Sequence, residues 1–326
     1  MQANPLLSIV IPTYNRANFL DYCLEVHIPL AKTHNIQIFI SDNASTDTTK
    51  EIVQKRMEEY PLISYHCNET NIGPDENIER ALKYPQTDYV WLLGDTYEIP
   101  YEGIGYVLGQ ISKKGQKYDA ILFNVGNEIK NIETQDYSDQ NMLLHDMFWL
   151  MTCLSTLVYS SQLIANANFE RYRNTNFIQT GVIFEYIANK KFLIHWTRSH
   201  SVRRILFVNG HKKQTWIEDG FFKIWIERRT NLVLSLPPSY NIDIKLKCIM
   251  GNGENQIGIK SLLYFRYLGV LGYKDYKKYS HLFPLTIKCP KLIILLIALL
   301  PQVIPFLLYK SYHVFKRWNT TTDTVA

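Results

Sequence analysis

The chain has 326 residues, of which 46% are hydrophobic and 20% are charged, and its formal net charge is +5. This composition excludes a disordered protein, and the length allows a sizeable core without help from metals or disulfides. The five cysteines are an odd number with no C-x-x-C pair, so neither a disulfide framework nor a zinc cage is expected.

Short apolar runs alternate with helical patterns over the first 125 residues. Runs typical of strands, each ending at polar, Gly or Pro residues, lie at residues 7–13, 36–41, 63–67, 89–93 and 120–123. The clearest helix between them covers residues 48–60, where Thr48 and Glu51 have the spacing of a capping box. This alternation predicts an α/β fold with a mostly parallel central sheet flanked by helices.

The alternation weakens after Asn124. We predict a polar loop at residues 128–139, a helix running into a strand over residues 142–158, and helices at residues 181–188 and 221–228. Pro237 and Pro238 mark the expected boundary between a larger domain at residues 1–236 and a basic helical extension at residues 237–326.

The C-terminal extension concentrates positive charge. From Lys260 onward there are ten Lys or Arg and two Asp, a net charge of +8, which leaves −3 for the rest. Residues 292–309 form an uncharged stretch of 18 residues, the lower limit for crossing a bilayer, but Pro301 and Pro305 interrupt it. Because basic residues flank both ends, we favour a segment lying in an anionic membrane surface over a span or a buried helix pair. The start of the chain lacks the pattern of a secretory signal, so we expect a cytoplasmic, peripheral location on the inner face of the cell membrane.

Polar loops follow the first four predicted strands, around Pro12, Asp42, Asn68 and Gly94. Ligands of parallel sheets bind beyond the carboxyl ends of the strands, where carboxylates and helix-start amides suit a nucleotide. The glycine-rich fingerprints of dinucleotide and P-loop enzymes are absent from the sequence. Taken singly, Asp42 and Asp47 are equally explained as turn and cap residues.

The loops form an ordered set. Residues 8–15 read S-I-V-I-P-T-Y-N, residues 42–47 read D-N-A-S-T-D, residues 71–77 read N-I-G-P-D-E-N, and Gly94 and Asp95 follow the fourth strand. Over about the first 105 residues the chain resembles the family 2 glycosyltransferases of the GT-A fold, in particular bacterial transferases of the abequosyl and rhamnosyl type.

The resemblance implies a donor site for a nucleoside-diphosphate sugar. It places Pro12, Thr13, Tyr14 and Asn15 around the nucleotide, Asp42 at the base, Asn71, Gly73 and Asn77 along the donor pocket, and Asp95 near the ribose, diphosphate and metal.

The acidic cluster departs from the family pattern. Members commonly have D-D-D or D-x-D, whereas this chain has Asp95, Thr96, Tyr97 and Glu98. Three explanations stay open for the divalent metal, Mg²⁺ or Mn²⁺, that the resemblance implies. Glu98 replaces the missing aspartate, Asp95 holds the metal with the diphosphate and extra waters, or metal dependence is reduced or lost.

The catalytic base is a second departure. The resemblance implies an acidic residue or a histidine at a helix start where this chain has Gln179 and Thr180, and an amide cannot accept the proton. Glu185, Glu218 and Asp219 are the alternative candidates. Glu218 and Asp219 are equally explained as acids that favour the dipole of a first helical turn.

Residues 209–216 form a polar, cationic stretch beside an aromatic residue. We hypothesise a lid in which His211 or Lys213 meets the diphosphate and Trp216 meets the acceptor sugar. A solvated surface loop is the alternative interpretation.

Together these features predict an inverting transferase that adds one sugar per encounter to a saccharide acceptor, lipid-linked, in surface-polysaccharide assembly. The expected partners are the nucleoside-diphosphate sugar, the acceptor and an anionic membrane surface, with no nucleic acid. Inversion follows from the resemblance alone. A catalytically impaired nucleotide-sugar-binding protein is one alternative, and a sugar nucleotidyltransferase is another, although the opening lacks the glycines that the latter would need.

Overall fold

The computed structural model describes residues 2–113, 115–208, 211–212, 220–251 and 253–305. Contacts divide the chain into two compact units, one formed by residues 1–213 with 235–241 and the other by residues 214–234 with 242–326. The boundary predicted at residue 237 falls within the short segment 235–241 that belongs to the first unit. The division into two domains at that point stays a prediction.

The first unit contains a sheet in which nine strands are described, in the order β3-β2-β1-β4-β8-β6-β9-β5, with β7 paired to β9. The strands are β1 Leu7–Thr13, β2 Gln37–Asp42, β3 Ile63–Cys67, β4 Tyr89–Leu92, β5 Tyr97–Glu98, β6 Ala120–Val125, β7 Gln135–Tyr137, β8 Leu157–Ser160 and β9 Ile194–Arg204. A separate antiparallel pair joins β10 Phe207–Val208 to β11 His211–Lys212.

Strands β1 to β4 run parallel and end at a common edge. In their register Thr13 is opposite Asp42, and Asp42 is opposite Cys67. Six of the seven residues of β1 are buried, as expected for a strand covered by helices on both faces. The strand predictions for this part of the chain are confirmed to within two residues.

The sheet is mixed beyond β4. A 3₁₀ turn at Leu154–Thr156 stands at the carboxyl edge, where the Ser155 hydroxyl accepts a hydrogen bond from the Gly94 amide (2.9 Å). Strand β8 therefore starts at that edge and runs back, antiparallel to both β4 and β6. The α/β class is confirmed, and the parallel arrangement that alternation predicts holds among β1 to β4 and between β6 and β9.

Seven helices of the first unit are described. They are α1 Ala17–His34, α2 Thr49–Glu59, α3 Pro74–Lys83, α4 Gly103–Ile111, α5 Gln140–Met151, α6 Ser161–Asn166 and α7 Ile178–Ile187. The expected capping box at α2 is wrong, because the Thr48 side chain makes no capping bond. Asp47 takes that role and accepts hydrogen bonds from the Thr49 amide (3.1 Å) and hydroxyl (2.5 Å).

The second unit is helical. A π-helix at Phe222–Arg228 replaces the ordinary helix expected there, followed by α8 Arg229–Ser235, α9 Ile242–Met250, α10 Ile259–Tyr267, α11 Tyr273–Tyr279, α12 Phe283–Thr286 and α13 Lys291–Leu299. Helix α8 ends at Ser235, which contacts assign to the first unit. A cluster that includes Phe222, Phe265, Phe283 and Ile294 forms the core of the second unit.

Helix α13 covers the first part of the apolar stretch predicted at residues 292–309. Ile294, Ile297 and Ala298 are buried, whereas Leu292, Leu296 and Leu299 are more than half exposed. Within the described residues, no helix is both long and apolar enough to cross a bilayer. Residues 306–309 of the stretch lie outside the described residues.

Candidate functional site

The loops after β1 and β4 are joined through Asp95. Its carboxylate accepts a hydrogen bond from the Thr13 hydroxyl (2.9 Å) on one oxygen and pairs with the Arg16 guanidinium (3.2 Å) on the other. Asp95 is buried, and the Arg16 side chain is 40% exposed. The structure therefore brings two predicted donor-site residues into contact and pairs one of them, Asp95, with a partly exposed cation.

Asp42 ends β2 beside them. One carboxylate oxygen accepts from the Ser45 amide (3.0 Å) and hydroxyl (2.6 Å), and the other accepts from the Tyr65 hydroxyl (2.6 Å). Burial and the bond to Asp42 raise the pKa of Tyr65, so that hydroxyl remains a donor at neutral pH. Asp42 is itself buried, and in this arrangement it also folds the turn that follows β2.

The β1–α1 and β2–α2 loops are tied to each other. Asn15 adopts a left-handed backbone (φ 49°), donates its amide to the Ser45 hydroxyl (2.8 Å) and accepts from the Thr46 amide (2.7 Å). Asp47 accepts from the Ala17 amide (3.0 Å) at the start of α1, besides capping α2. Tyr14 is left exposed at the surface of this loop.

A buried network of asparagines fixes the loop after β3. The Asn77 side chain accepts from the Ser41 hydroxyl (2.8 Å) and the Asn68 amide (3.0 Å), and donates to the Ser41 carbonyl (2.9 Å). Asn68 also donates to Asn43 (3.1 Å), which in turn donates to Asn71 (2.8 Å).

Asn71 and Gly73 shape the tip of the same loop. The Asn71 side chain accepts from the Gly73 amide (2.9 Å), and Gly73 has a positive φ of 86°, which favours glycine immediately before α3. Asn77 is almost fully buried, so its contribution to the donor pocket is to position this loop.

The acidic cluster does not gather its carboxylates. Glu98 accepts from the Tyr22 hydroxyl (3.0 Å) and pairs with Arg203 (3.2 Å), while Asp95 is engaged by Thr13 and Arg16. The part of the chain that the structure describes contains no group of three or more His, Cys, Asp or Glu side chains placed to hold a metal. Of this acidic cluster, Asp95 alone lies at the carboxyl ends of β1 to β4, here called the donor edge, and it is already paired with Arg16. The cluster therefore does not fit a resident divalent ion.

A buried histidine anchors the segment that follows Glu98. His27 on α1 donates through Nδ1 to the Cys23 carbonyl (2.5 Å) and accepts at Nε2 from the Ile99 amide (2.9 Å). Burial lowers the pKa of His27 to about 4. The ring is therefore neutral at pH 7, which these two bonds require.

The candidates for the catalytic base lie in different places. Glu185 on α7 accepts from the Tyr172 hydroxyl (2.7 Å) and pairs with Arg171 (3.1 Å), so a structural role accounts for it. At the start of α7, Gln179 donates to the Thr152 carbonyl (3.0 Å) and Thr180 donates to the Met151 carbonyl (2.7 Å). Neither side chain is a base.

The remaining candidates belong to residues 209–219. Glu218, Asp219, Lys213 and Trp216 lie outside the described residues. His211 contributes its backbone to β11.

Two contributors to the donor edge are absent from the sequence prediction. Arg16 directly follows the S-I-V-I-P-T-Y-N motif, and its position was a usable signal. Ser155, which holds Gly94, lies 61 residues further along the chain, and nothing in its neighbourhood marks it.

Residues 8–162 match the family model described as glycosyl transferase family 2. These residues therefore carry a family 2 glycosyltransferase domain, and the resemblance to that family predicted from the sequence is confirmed. The chain is 27% identical over 187 residues to abequosyltransferase RfbV of Salmonella typhimurium, a match that spans 56% of this chain and 51% of the relative. It is 30% identical over 96 residues to a Campylobacter jejuni GalNAc(5)-diNAcBac-PP-undecaprenol beta-1,3-glucosyltransferase, spanning 29% of this chain and 31% of that enzyme. The chain thus spans about half or less of these curated relatives.

Solved structures share the fold. TarS 1–349 of S. aureus in complex with UDP-GlcNAc superposes with a TM-score of 0.52 at 16% identity, covering 86% of this chain and 84% of that one. Mannosyltransferase PcManGT from Pyrobaculum calidifontis, in complex with GDP-Man and Mn²⁺, gives 0.53 at 11% identity and covers 99% and 86%. At such identities the likeness shows the GT-A fold, and that prediction is confirmed.

Proposed function

We propose that this protein is an inverting, non-processive glycosyltransferase that moves one sugar from a nucleoside-diphosphate donor to a lipid-linked saccharide in surface-polysaccharide assembly. The observation that carries the proposal is the donor edge itself. Thr13, Asp42 and Asp95 meet at the carboxyl ends of three neighbouring strands, inside a family 2 domain. The names of the relatives from S. typhimurium and C. jejuni support a saccharide acceptor and a lipid carrier.

In this proposal each part of the edge has its own task. The turn held by Asp42 receives the base, the β1–α1 loop at Pro12 to Asn15 encloses the nucleoside, and Asp95 orients the ribose and diphosphate. Reaction then requires an acceptor hydroxyl to attack the anomeric carbon as the bond to the diphosphate breaks, with the proton passing to a base. We propose Glu218 or Asp219 for that base, because Arg171 and Tyr172 already hold Glu185.

A screen of nucleoside-diphosphate sugars tests the donor site. We expect the nucleotides of one base to raise the melting temperature, by an amount that grows with the logarithm of the ligand concentration divided by its Kd. We expect Asp42→Asn to reduce this rise. Glu51→Gln, on the exposed side of α2, is the control. If no nucleotide shifts the melting temperature, the proposal is wrong.

Transfer is tested separately from binding. With the donor identified, we expect sugar transfer to an isolated lipid-linked acceptor and loss of turnover in Asp219→Asn or Glu218→Gln. A donor that binds with no transfer to any acceptor would instead identify a catalytically impaired binding protein. Unchanged donor affinity and turnover in Lys213→Ala would contradict the proposed lid of His211, Lys213 and Trp216.

We also propose that the second unit binds an anionic membrane surface through α13, which keeps the protein peripheral on the inner face of the cell membrane. Leu292, Leu296 and Leu299 form an exposed apolar side of the helix, and Lys288 and Lys291 lie at its start.

Vesicle sedimentation tests this surface. We expect the protein to sediment with phosphatidylglycerol vesicles more than with phosphatidylcholine vesicles, and Leu296→Glu to reduce that binding. Ile242→Glu on α9 is a matched control, since Ile242 is 57% exposed and Leu296 is 56% exposed. Equal binding by the two variants would overturn the assignment.

A further inference from the structure

Asp95 is the single carboxylate of the degenerate cluster that stays at the donor edge. Glu98 is held by Tyr22 and Arg203, and positions 96 and 97 are occupied by threonine and tyrosine. A diphosphate arriving beside a buried carboxylate would be repelled unless a positive charge lies between them. In this structure the positive charge at that carboxylate belongs to Arg16.

The backbone of Arg16 is fixed. It occupies the residue before α1, where its carbonyl accepts from the Leu20 amide (2.9 Å) in the first turn of the helix. Asn15, just before it, is held to Ser45 and Thr46 of the neighbouring loop. The guanidinium therefore projects from a rigid position at the edge where the nucleotide-binding loops meet.

The guanidinium of Arg16 has donors to spare. Among the described residues its hydrogen bond is the one from Nη1 to Asp95, and a guanidinium carries five N–H donors in a planar fork. The side chain is 40% exposed, so the rest of the fork is open to solvent. Such a positively charged fork matches two phosphate oxygens at once.

We propose that Arg16 binds the diphosphate of the donor and takes up the negative charge that develops on the leaving nucleoside diphosphate, so that donor binding needs no divalent ion. The proposal rests on the proposed function, because it needs a nucleoside-diphosphate donor at this edge. Asp95 orients the guanidinium. When the bond between the anomeric carbon and the diphosphate oxygen breaks, its electron pair stays on that oxygen, next to the guanidinium. This assignment makes Arg16 a functional counterpart of the metal that the family pattern implies.

Calorimetric titration separates a diphosphate contact from a purely structural one. The probes are UDP, GDP, CDP and dTDP with their nucleosides, each in EDTA and in Mg²⁺ or Mn²⁺. For the wild type, we expect the dissociation constant of the preferred nucleoside diphosphate to differ by less than about twofold between EDTA and metal. Arg16→Ala should weaken the diphosphate by about 10- to 100-fold and leave the nucleoside within about twofold, since bonds to charged groups are the strong ones.

Two further variants keep the test decisive. Arg16→Gln retains polar donors without the charge and covers the case in which Arg16→Ala fails to fold, and we expect it to lose diphosphate affinity similarly. Arg198→Ala is the matched control, because Arg198 is 42% exposed and likewise pairs with one carboxylate, Glu133. It should bind the diphosphate as the wild type does.

The outcomes are distinct. If no nucleotide binds the wild type, the proposed function itself is wrong. If the diphosphate binds but chelation weakens it at least tenfold, or if Arg16→Gln weakens nucleoside and diphosphate alike, the role of Arg16 is overturned while the proposed function stands.

Discussion

The two halves of the first unit are held together by different means. At the donor edge, from β1 to β4, loops are joined by buried hydrogen bonds between short polar side chains, such as Asn77 with Ser41 and Thr13 with Asp95. In the region from β6 to β9, large apolar side chains such as Phe123 and Trp196 fill the core, and helix α7 packs tightly on Tyr172. Changes at the donor edge should therefore lower nucleotide affinity as well as stability, whereas changes in the second region should lower stability alone.

The largest effect is expected at Gly181 on α7. A Cβ at this position would lie 2.3 Å from the Tyr172 ring, so Gly181→Ala must displace the ring or the helix. We expect the free energy of unfolding to fall by about 3 kcal/mol, measured by urea denaturation. Nucleotide affinity, corrected for the fraction folded, should stay unchanged.

Gly109 on α4 provides the control for this substitution. A Cβ there meets nothing within 4 Å, so Gly109→Ala should stabilise the protein by about 0.5–1 kcal/mol through helix propensity. A Gly181→Ala protein as stable as the wild type would show that the second region is loosely packed. It would contradict the view that tight apolar packing holds this region together.

The next effect is expected at the donor edge. Asn77→Leu deletes three buried hydrogen bonds and leaves the Ser41 carbonyl and hydroxyl without that partner. We expect a loss of about 2–3 kcal/mol in the free energy of unfolding. Nucleotide affinity should also fall, because the loop that carries Asn71 is no longer held.

Asn166→Leu, at an exposed asparagine that ends α6, is the matched control and should change stability by less than about 0.5 kcal/mol. If Asn77→Leu lowered stability and left nucleotide affinity intact, the asparagine network would be a purely structural element and the coupling at the donor edge would be disproved.

The same contrast explains which parts of the fold and of the site can be predicted from the sequence alone. The donor edge is predictable because its strands are short apolar runs that end at polar, Gly or Pro residues. Asp42 ends a strand, and Asn71 and Asp95 lie within four residues of a strand end. What escapes prediction depends on partners distant in the chain. The pairing of β8 with β4 and the contact of Ser155 with Gly94 join residues 61 to 71 positions apart, and local sequence patterns carry no information about such contacts.

Glu98 shows the same limit within the site. Its place in the acidic cluster predicts a metal ligand, but pairing of β5 with β9 brings Arg203 opposite it. Asp47 shows the opposite case, since its interpretation as a cap required neighbours only two residues away and is confirmed by its bonds to Thr49.

The third prediction concerns pH and the histidine that anchors the segment after Glu98. The folded-state pKa of His27 is about 4, below the ordinary value of 6.5, so unfolding takes up a proton between these values. The stability that neutral His27 contributes is present above pH 6.5 and is lost as the pH falls towards 4. We expect His27 to account for a loss of about 2 kcal/mol between pH 7 and pH 5.

Urea denaturation of wild type and His27→Gln at several pH values gives the unfolding free energy as a function of pH for each protein. The difference between the two slopes measures the contribution of His27. The variant should be less stable at pH 7 but should lose less stability on acidification. Other histidines titrate in both proteins and cancel in the comparison. Parallel pH profiles for the two proteins would rule out His27 as the source of acid sensitivity.

The smallest effect is expected where α4 meets the second region, at the linked side chains of Tyr106, His195 and Asp136. His195 donates through Nδ1 to Asp136 (2.5 Å), and its Nε2 shares a hydrogen bond with the Tyr106 hydroxyl (2.6 Å). Tyr106→Phe removes this hydrogen-bond partner of His195 and should cost about 1 kcal/mol of unfolding free energy. Tyr101→Phe, at an exposed ring two residues before α4, should cost nothing measurable. Because these linked side chains connect α4, β9 and β7, away from the donor loops, Tyr106→Phe should leave nucleotide affinity unchanged.

A fall in nucleotide affinity beyond about twofold in Tyr106→Phe would show that the two regions are coupled. The division between a polar donor edge and an apolar second region would then describe packing but not function.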